Sequence, residues 1–178
     1  MPELSVERLR DTLDHDPLTG LLTWKPRPPE SFANLRLWRT WNTRFAGNPV
    51  KAQQSRGGYL LFQIKINGEA RHNVTAHRVI WALAHGRWPL NQIDHRNGDR
   101  SDNRIMNLRE ATSAENHQNR RLRTQGASFD ARKGRFRAQI FVNGKRTWLG
   151  YFASREGAQF AYLAGKARLH PFQPIPRQ

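Results

Sequence analysis

Residues 93–121 read IDHRNGDRSDNRIMNLREATSAENHQNRR, a stretch richer in Asp, Asn, His and Arg than packing requires. Ile93 leads into Asp94-His95, and Asn97-Gly98-Asp99 must turn. Ile105 to Leu108 is a short apolar return, and Thr112 with Glu115 forms a capping box opening a helix to about Arg121. Two short strands and a helix are expected. That order holds Asp94 at a strand end and Asn116 in the first helical turns. A carboxylate and an amide oxygen then converge on one divalent ion, while His95 points the other way towards a nucleophilic water. The chemistry such a set suits is metal-assisted hydrolysis.

An Asp-His dipeptide alone carries nothing, and its weight comes from its surroundings. Asp99, Asp102, Asn103 and Arg104 fall in a loop where solvated or side-chain-to-backbone roles are the default, so no chemistry is assigned to them. His77 and Arg78 begin a helix near the core, where scaffolding is favoured over a phosphate or active-site contact. His15, His72, His85, His117 and His170 read as ordinary polar surface. Positive charge around His95 is expected to disfavour its protonation and keep it basic at pH 7.

The elements around this stretch follow from periodicity. Leu4 to Leu13 suits a short helix, Asp16-Pro17-Leu18-Thr19-Gly20 a turn, and Leu21 to Trp24 a brief strand. Residues 26–57, rich in Pro, Ser and Arg, give no clear pattern. From Tyr59, Leu60, Phe62, Ile64 and Ile66 alternate up to Asn67-Gly68, a dipeptide suited to a type I′ turn, and Arg71 to Thr75 returns as the second strand. Ala76 to His85 carries Val79, Ile80, Leu83 and Ala84 at helical spacing and stops at Gly86.

The composition narrows the partner. The 178 residues hold 30 Lys and Arg against 14 Asp and Glu, net +16, an imbalance that points to a polyanion. The charge is uneven: residues 1–116 hold 17 basic against 12 acidic residues, net +5, and 117–178 hold 13 against 2, net +11. No apolar run approaches a spanning helix, and the polar opening MPELSVERLRDTLDHDP is unlike a signal peptide, so a soluble cytoplasmic protein is expected. Zero cysteine excludes disulfides, thiolate zinc sites and a cysteine nucleophile, leaving a hard, oxygen-rich metal site.

The 93–121 segment closely resembles the HNH endonucleases of the phage and intron-encoded homing type, whose ββα-metal motif reads D-H-x-N-G-x-x-x-D-N-R-x-x-N-L-R followed by a final Asn. The resemblance implies Asp94 as metal ligand, His95 as general base, Asn107 as the group orienting the His95 ring, and Asn116 as second metal ligand. Asn107 also suits a strand-end residue tying down the loop, and the two roles overlap. Asn116 stands where many such enzymes have His, which favours Mg²⁺ or Mn²⁺ over Zn²⁺. Asp16-Pro17 to Thr23-Trp24, Gly58-Tyr59 and Ala76-His77-Arg78 are similar to the usual N-terminal half of these proteins. The family's flanking zinc ribbon cannot form without cysteine.

Beyond it, Phe136, Ala138 and Ile140 alternate with Arg135, Arg137 and Gln139, and Asn143-Gly144 turns the chain into Arg146 to Phe152. Ser154 then caps a helix over Glu156 to Arg168 with a small-residue stripe of Ala158, Ala161, Tyr162 and Gly165. One sheet face shows Arg135, Arg137, Gln139, Arg146 and Trp148, and the other sends Phe136, Ala138, Ile140 and Leu149 to the helix. A basic, aromatic face suits a major groove, with Arg reaching guanine and Gln adenine. This segment resembles an AP2/ERF DNA-binding domain, which implies that Arg135, Gln139, Arg146 and Trp148 contact DNA. Phe141 departs from that pattern, where Arg is common. Arg120, Arg121 and Arg123 sit at the handover and suit phosphate contact.

The expectation is an α+β chain. Residues 1–122 are an N-terminal hairpin-and-helix scaffold with an HNH nuclease core at 93–121, 123–128 a basic linker, 129–170 an AP2-like three-stranded antiparallel sheet packed on one helix, and 171–178 a tail. The expected function is site-directed cleavage of double-stranded DNA with one divalent ion, nicking one strand per active site, by a monomer or weak dimer. Two alternatives stand beside it: a catalytically inactive AP2-type regulator, and a basic RNA-binding protein.

Overall fold

The computed structural model describes residues 4–65, 72–118, 126–142, 144–170 and 172. Among the described residues the fold mixes α and β, with four small sheets. Contacts divide the chain into two units, one of Met1–His95 with Asp99–Glu110, the other of Arg96–Gly98 with Ala111–Gln178. Among the described residues no helix is long and apolar enough to cross a membrane.

In the first unit, helix α1 (Val6–Thr12) begins at Ser5, whose hydroxyl accepts from Arg8 N at 3.3 Å. It passes directly into β1 (Leu13–His15), which pairs with β2 (Leu22–Trp24) across the expected turn. Asp16 builds that turn by accepting from Leu18 N and the Thr19 hydroxyl at 2.8 and 2.7 Å. Residues 26–57, left open by the sequence, contain α2 (Leu35–Phe45) and β3 (Gln53–Gln54). Asn34 caps α2 through Leu37 N. Asn42 exchanges two 2.9 Å hydrogen bonds with the Arg27 backbone, and Trp41 meets Trp24 edge-on.

Strands β4 (Leu60–Ile64) and β5 (His72–Thr75) pair as the alternation requires, Phe62 opposite Val74 and Ile64 opposite His72, with β3 on the outer edge of β4. Their turn, Asn67-Gly68, lies outside the described residues. Helix α3 (Ala76–His85) follows β5 without a loop and buries Val79, Ile80, Ala82 and Leu83 against Leu9, Leu13, Phe62 and Ile64. This core is the floor on which β6 (Gln92–His95) and β7 (Leu108–Ala111) pair, with Ile93 and Leu108 pointing into it.

In the second unit, α4 (Ser113–Gln118) opens on the expected capping box. Glu115 accepts from Thr112 N and from its hydroxyl, at 2.8 and 2.7 Å. Strands β8 (Ala127–Asp130), β9 (Arg135–Val142) and β10 (Lys145–Phe152) form a sheet in the order β10-β9-β8, covered by α5 (Arg155–Leu169). Ala138, Ile140, Ala158 and Tyr162 are its core. Histidine 170, expected at the surface, is buried there because its ring nitrogen pairs with the Phe141 carbonyl at 2.8 Å.

Candidate nuclease site

The β6–β7 hairpin ends where chemistry begins. Asp94 and His95 are consecutive, so the strand sends them to opposite faces, and both are buried. Arg109, one strand across, donates from Nε and Nη2 to Asp94 Oδ2, both at 2.8 Å. A carboxylate taken out of water needs such a partner, and a planar fork on one oxygen also fixes its direction.

His95 is held in a cluster of three rings, two of them buried. Its imidazole lies 5.2 Å from that of His77, edge-on, and 5.9 Å from Tyr59, while Tyr59 and His77 are 5.0 Å apart. His95 Nε2 is 3.1 Å from Asn103 Oδ1. Burial lowers the His95 pKa below its ordinary value, partly offset by the Asn103 bond and the carboxylates of Asp94, Asp102 and Asp99. The direction agrees with the sequence reading but the cause does not, since the charges acting on His95 are negative. Burial pushes His77 further, down to about 3, helped by the positive fields of His95 and Arg78. His77 Nδ1 is buried without a hydrogen-bond partner.

Asn103 was given no chemistry by the sequence, yet it is 2% exposed and supplies the contact on the His95 ring. Its position comes from the first turn of the chain. Gly20 has φ +72°, and a Cβ there would collide with the Asn103 and Arg104 backbone, while Ile105 N reaches Pro17 O at 3.3 Å. Asn107 is buried in the 3-10 turn Ile105–Asn107 and donates from Nδ2 to Asp102 O at 2.7 Å, tying down the backbone just before Asn103. Asn116 is half-buried on α4, in the second unit.

Among the described residues no group of three or more His, Cys, Asp or Glu could hold a metal. Asp94 and Asn116 are hard oxygen donors. A hard oxygen donor of either kind suits an ion that keeps most of its shell as water and phosphate, as Mg²⁺ does, and does not suit structural zinc.

In the second unit, Arg135 and Arg146 are exposed, Arg137 and Gln139 half-buried, and Trp148 50% exposed. Trp148 stands opposite Gln139, and Arg146 opposite Phe141, over whose ring its guanidinium lies at 5.6 Å. Arg137 donates to the Ser128 hydroxyl at 2.7 Å. A bulge at Leu149 shifts the register between Trp148 and Gly150, which brings Tyr151 to the Trp148 face with rings 4.8 Å apart. Simple alternation would have sent Tyr151 to the other side. Lys133 covers the Tyr151 ring at 4.8 Å, and Asp130 accepts from the Tyr151 hydroxyl at 2.9 Å, a bond that lowers the Asp130 pKa. Arg120, Arg121 and Arg123 lie outside the described residues.

No curated protein matches the chain. Among solved structures there is similarity to the entity described as DNA binding and cleavage by the HNH homing endonuclease I-HmuI, at 18% identity and a TM-score of 0.42, over 66% of this chain and 56% of that one. The chain thus spans little more than half of that protein. Residues 74–118, which run from β5 through His77, Asp94, His95, Asn103 and Asn107 to the end of α4, match the family model of the HNH endonucleases, and over that segment the chain carries an HNH endonuclease domain.

Proposed function

We propose that this protein is a DNA endonuclease that hydrolyses phosphodiester bonds with one divalent ion, Mg²⁺ or Mn²⁺, and nicks one strand per site. The observation that carries the reading is His95: a buried imidazole, held by Asn103 and beside the Arg109-fixed Asp94, inside the segment matching the HNH endonucleases. His95 is the general base. Burial keeps it neutral near pH 7, so it can take the proton of the attacking water as the oxygen reaches phosphorus. Asp94, and Asn116 by its place in the motif, would hold the ion, which when bound supplies positive charge against the charge on phosphorus and the leaving 3′ oxygen. Asn103 orients the His95 ring, and Asn107 sets the loop that presents Asn103. By family resemblance the products carry 5′-phosphate and 3′-hydroxyl ends.

Targeting is assigned to the β9–β10 face, where Arg135, Arg137, Gln139, Arg146 and Trp148 would meet double-stranded DNA in the manner of an AP2-like domain. Phosphate contact is assigned to Arg120, Arg121 and Arg123. The test is incubation of supercoiled plasmid with the protein in Mg²⁺. Nicked circles that form with the wild type, vanish with chelator and are absent with His95→Ala support the reading. Intact plasmid with every divalent ion, alongside tight duplex binding, would point to a regulator that has lost catalysis.

A further inference from the structure

Three arginines follow β6 in the nuclease domain's first-unit residues, and two of them are matched to carboxylates. Arg109 is on Asp94, and Arg104 forks onto Asp102 through Nε and Nη2 at 2.8 and 2.6 Å. Arg100 differs. Its partners are the Gly57 carbonyl, which accepts from Nη1 at 2.7 Å, and the face of Tyr59, 4.8 Å from the guanidinium carbon. Both partners are neutral, so its charge is oriented without being cancelled. Arg100 is also exposed. A solvent-facing arginine ordinarily keeps its rotamers, and here two contacts from a distant part of the chain have already removed that freedom. One of the five guanidinium N–H groups is used, which leaves a planar fork for an anion.

Tyr59 ties this fork to the catalytic histidine, because its other neighbours are His77 and His95. The two ring separations together place the Arg100 guanidinium no more than about 11 Å from the His95 ring. A base, its water and the phosphorus under attack span roughly 6 Å. Successive phosphates of a strand advance about 3.4 Å along the helix axis, so a phosphate next to the scissile one falls within this reach.

We propose that Arg100, preset by Tyr59 and Gly57, is a phosphate clamp that grips the phosphodiester adjoining the cut and so fixes the strand against His95. The inference rests on the nuclease reading. Its test uses full-length protein with a duplex containing the mapped cut site, and measures single-turnover cleavage at saturating DNA. Arg100→Ala should slow cleavage by about 10- to 100-fold, as expected for a misplaced reacting group. Arg100→Lys, which keeps charge but loses fork and stack, should recover part of the rate. Thermal unfolding of both variants should match the wild type, since the side chain is exposed.

The decisive arm replaces each of the two phosphates flanking the cut, in turn, by an uncharged methylphosphonate. With one of them, wild type and Arg100→Ala should cut within about 3-fold of each other, because the contact is already gone. Equal slowing by Arg100→Ala on all duplexes, or wild-type cleavage by Arg100→Ala, would overturn the clamp while leaving the nuclease reading intact. Failure of the wild type to nick any duplex removes the nuclease reading and the clamp with it.

Discussion

Asn103 Oδ1 stands 3.1 Å from His95 Nε2, on a backbone packed so closely against Gly20 that a side chain at residue 20 would strike it. The orientation of the His95 imidazole therefore depends on a turn more than seventy residues upstream. A hydrogen bond to one ring nitrogen settles what the other can do, so if His95 is the general base proposed above, Asn103 positions it. Asn103→Ala should lower the single-turnover rate by about 10- to 100-fold with little change in duplex binding. Wild-type cleavage by this variant would remove Asn103 from the mechanism.

Gly20→Ala tests the same link from its far end. Alanine at φ +72° costs about 1–2 kcal/mol on its own, and the collision with Asn103 adds to it. Gly47 is the control, having φ +75° and nothing near its missing side chain. Both alanine variants should lose stability in urea titration, but Gly20→Ala should lose more, and should also cut more slowly at temperatures where both remain folded. Equal cleavage by the two would show that the turn does not transmit to Asn103.

The His77–His95 pair makes stability sensitive to acid. His77 has its folded pKa depressed to about 3, so between there and the ordinary value near 6.5 the unfolded chain binds the extra proton. Stability is present above that window and is lost as pH falls through it, by up to ~1.4 kcal/mol per pH unit. His95 acts in the same direction. His77→Phe, which keeps a ring and cannot charge, should flatten the fall in melting temperature between pH 6.5 and pH 4. An unchanged slope would assign the acid sensitivity elsewhere.

For cleavage, a lowered His95 pKa means the rate should rise from acid pH and reach half its plateau below pH 6.5. A half-rise near pH 8 would identify another base.

Metal and binding should separate. Asp94→Ala and Asn116→Ala should each abolish Mg²⁺-dependent nicking while leaving duplex affinity nearly unchanged, as measured by gel shift. Parallel loss of affinity and cleavage in both variants would contradict the assignment of these residues to the ion.

On the sheet of the second unit, Arg135→Ala and Arg146→Ala should each cost about 1–3 kcal/mol on the preferred site and relax its specificity, as the loss of a bidentate base contact does. Arg120→Ala or Arg121→Ala should weaken all duplexes alike and make the slope of log affinity against log salt shallower by about one unit per contact. Selectivity that survives loss of both Arg135 and Arg146 would place recognition outside this face.

Local rules were enough for the parts whose information is local. Alternation from Leu60 to Ile64, the apolar spacing of α3 and the Thr112–Glu115 box are signals carried within a few residues, and the structure forms each of them. Asp94 and His95 were legible for the same reason, since a strand end must split two consecutive residues between its faces. Helix α2 was harder because Trp38, Trp41 and Phe45 pack only where Trp24 and Arg27 supply a surface, while Leu35 and Leu37 beside them stay exposed. What tertiary structure alone decided is long-range and steric. Asn103 looks like a loop residue until the close approach of Gly20 to its backbone and its contact with His95 are seen, and strict alternation would leave Tyr151 on the Leu149 side were it not for the bulge that turns it to the Trp148 face. Neither a close approach between distant segments nor an extra residue in one strand changes the local pattern, so neither is written in it.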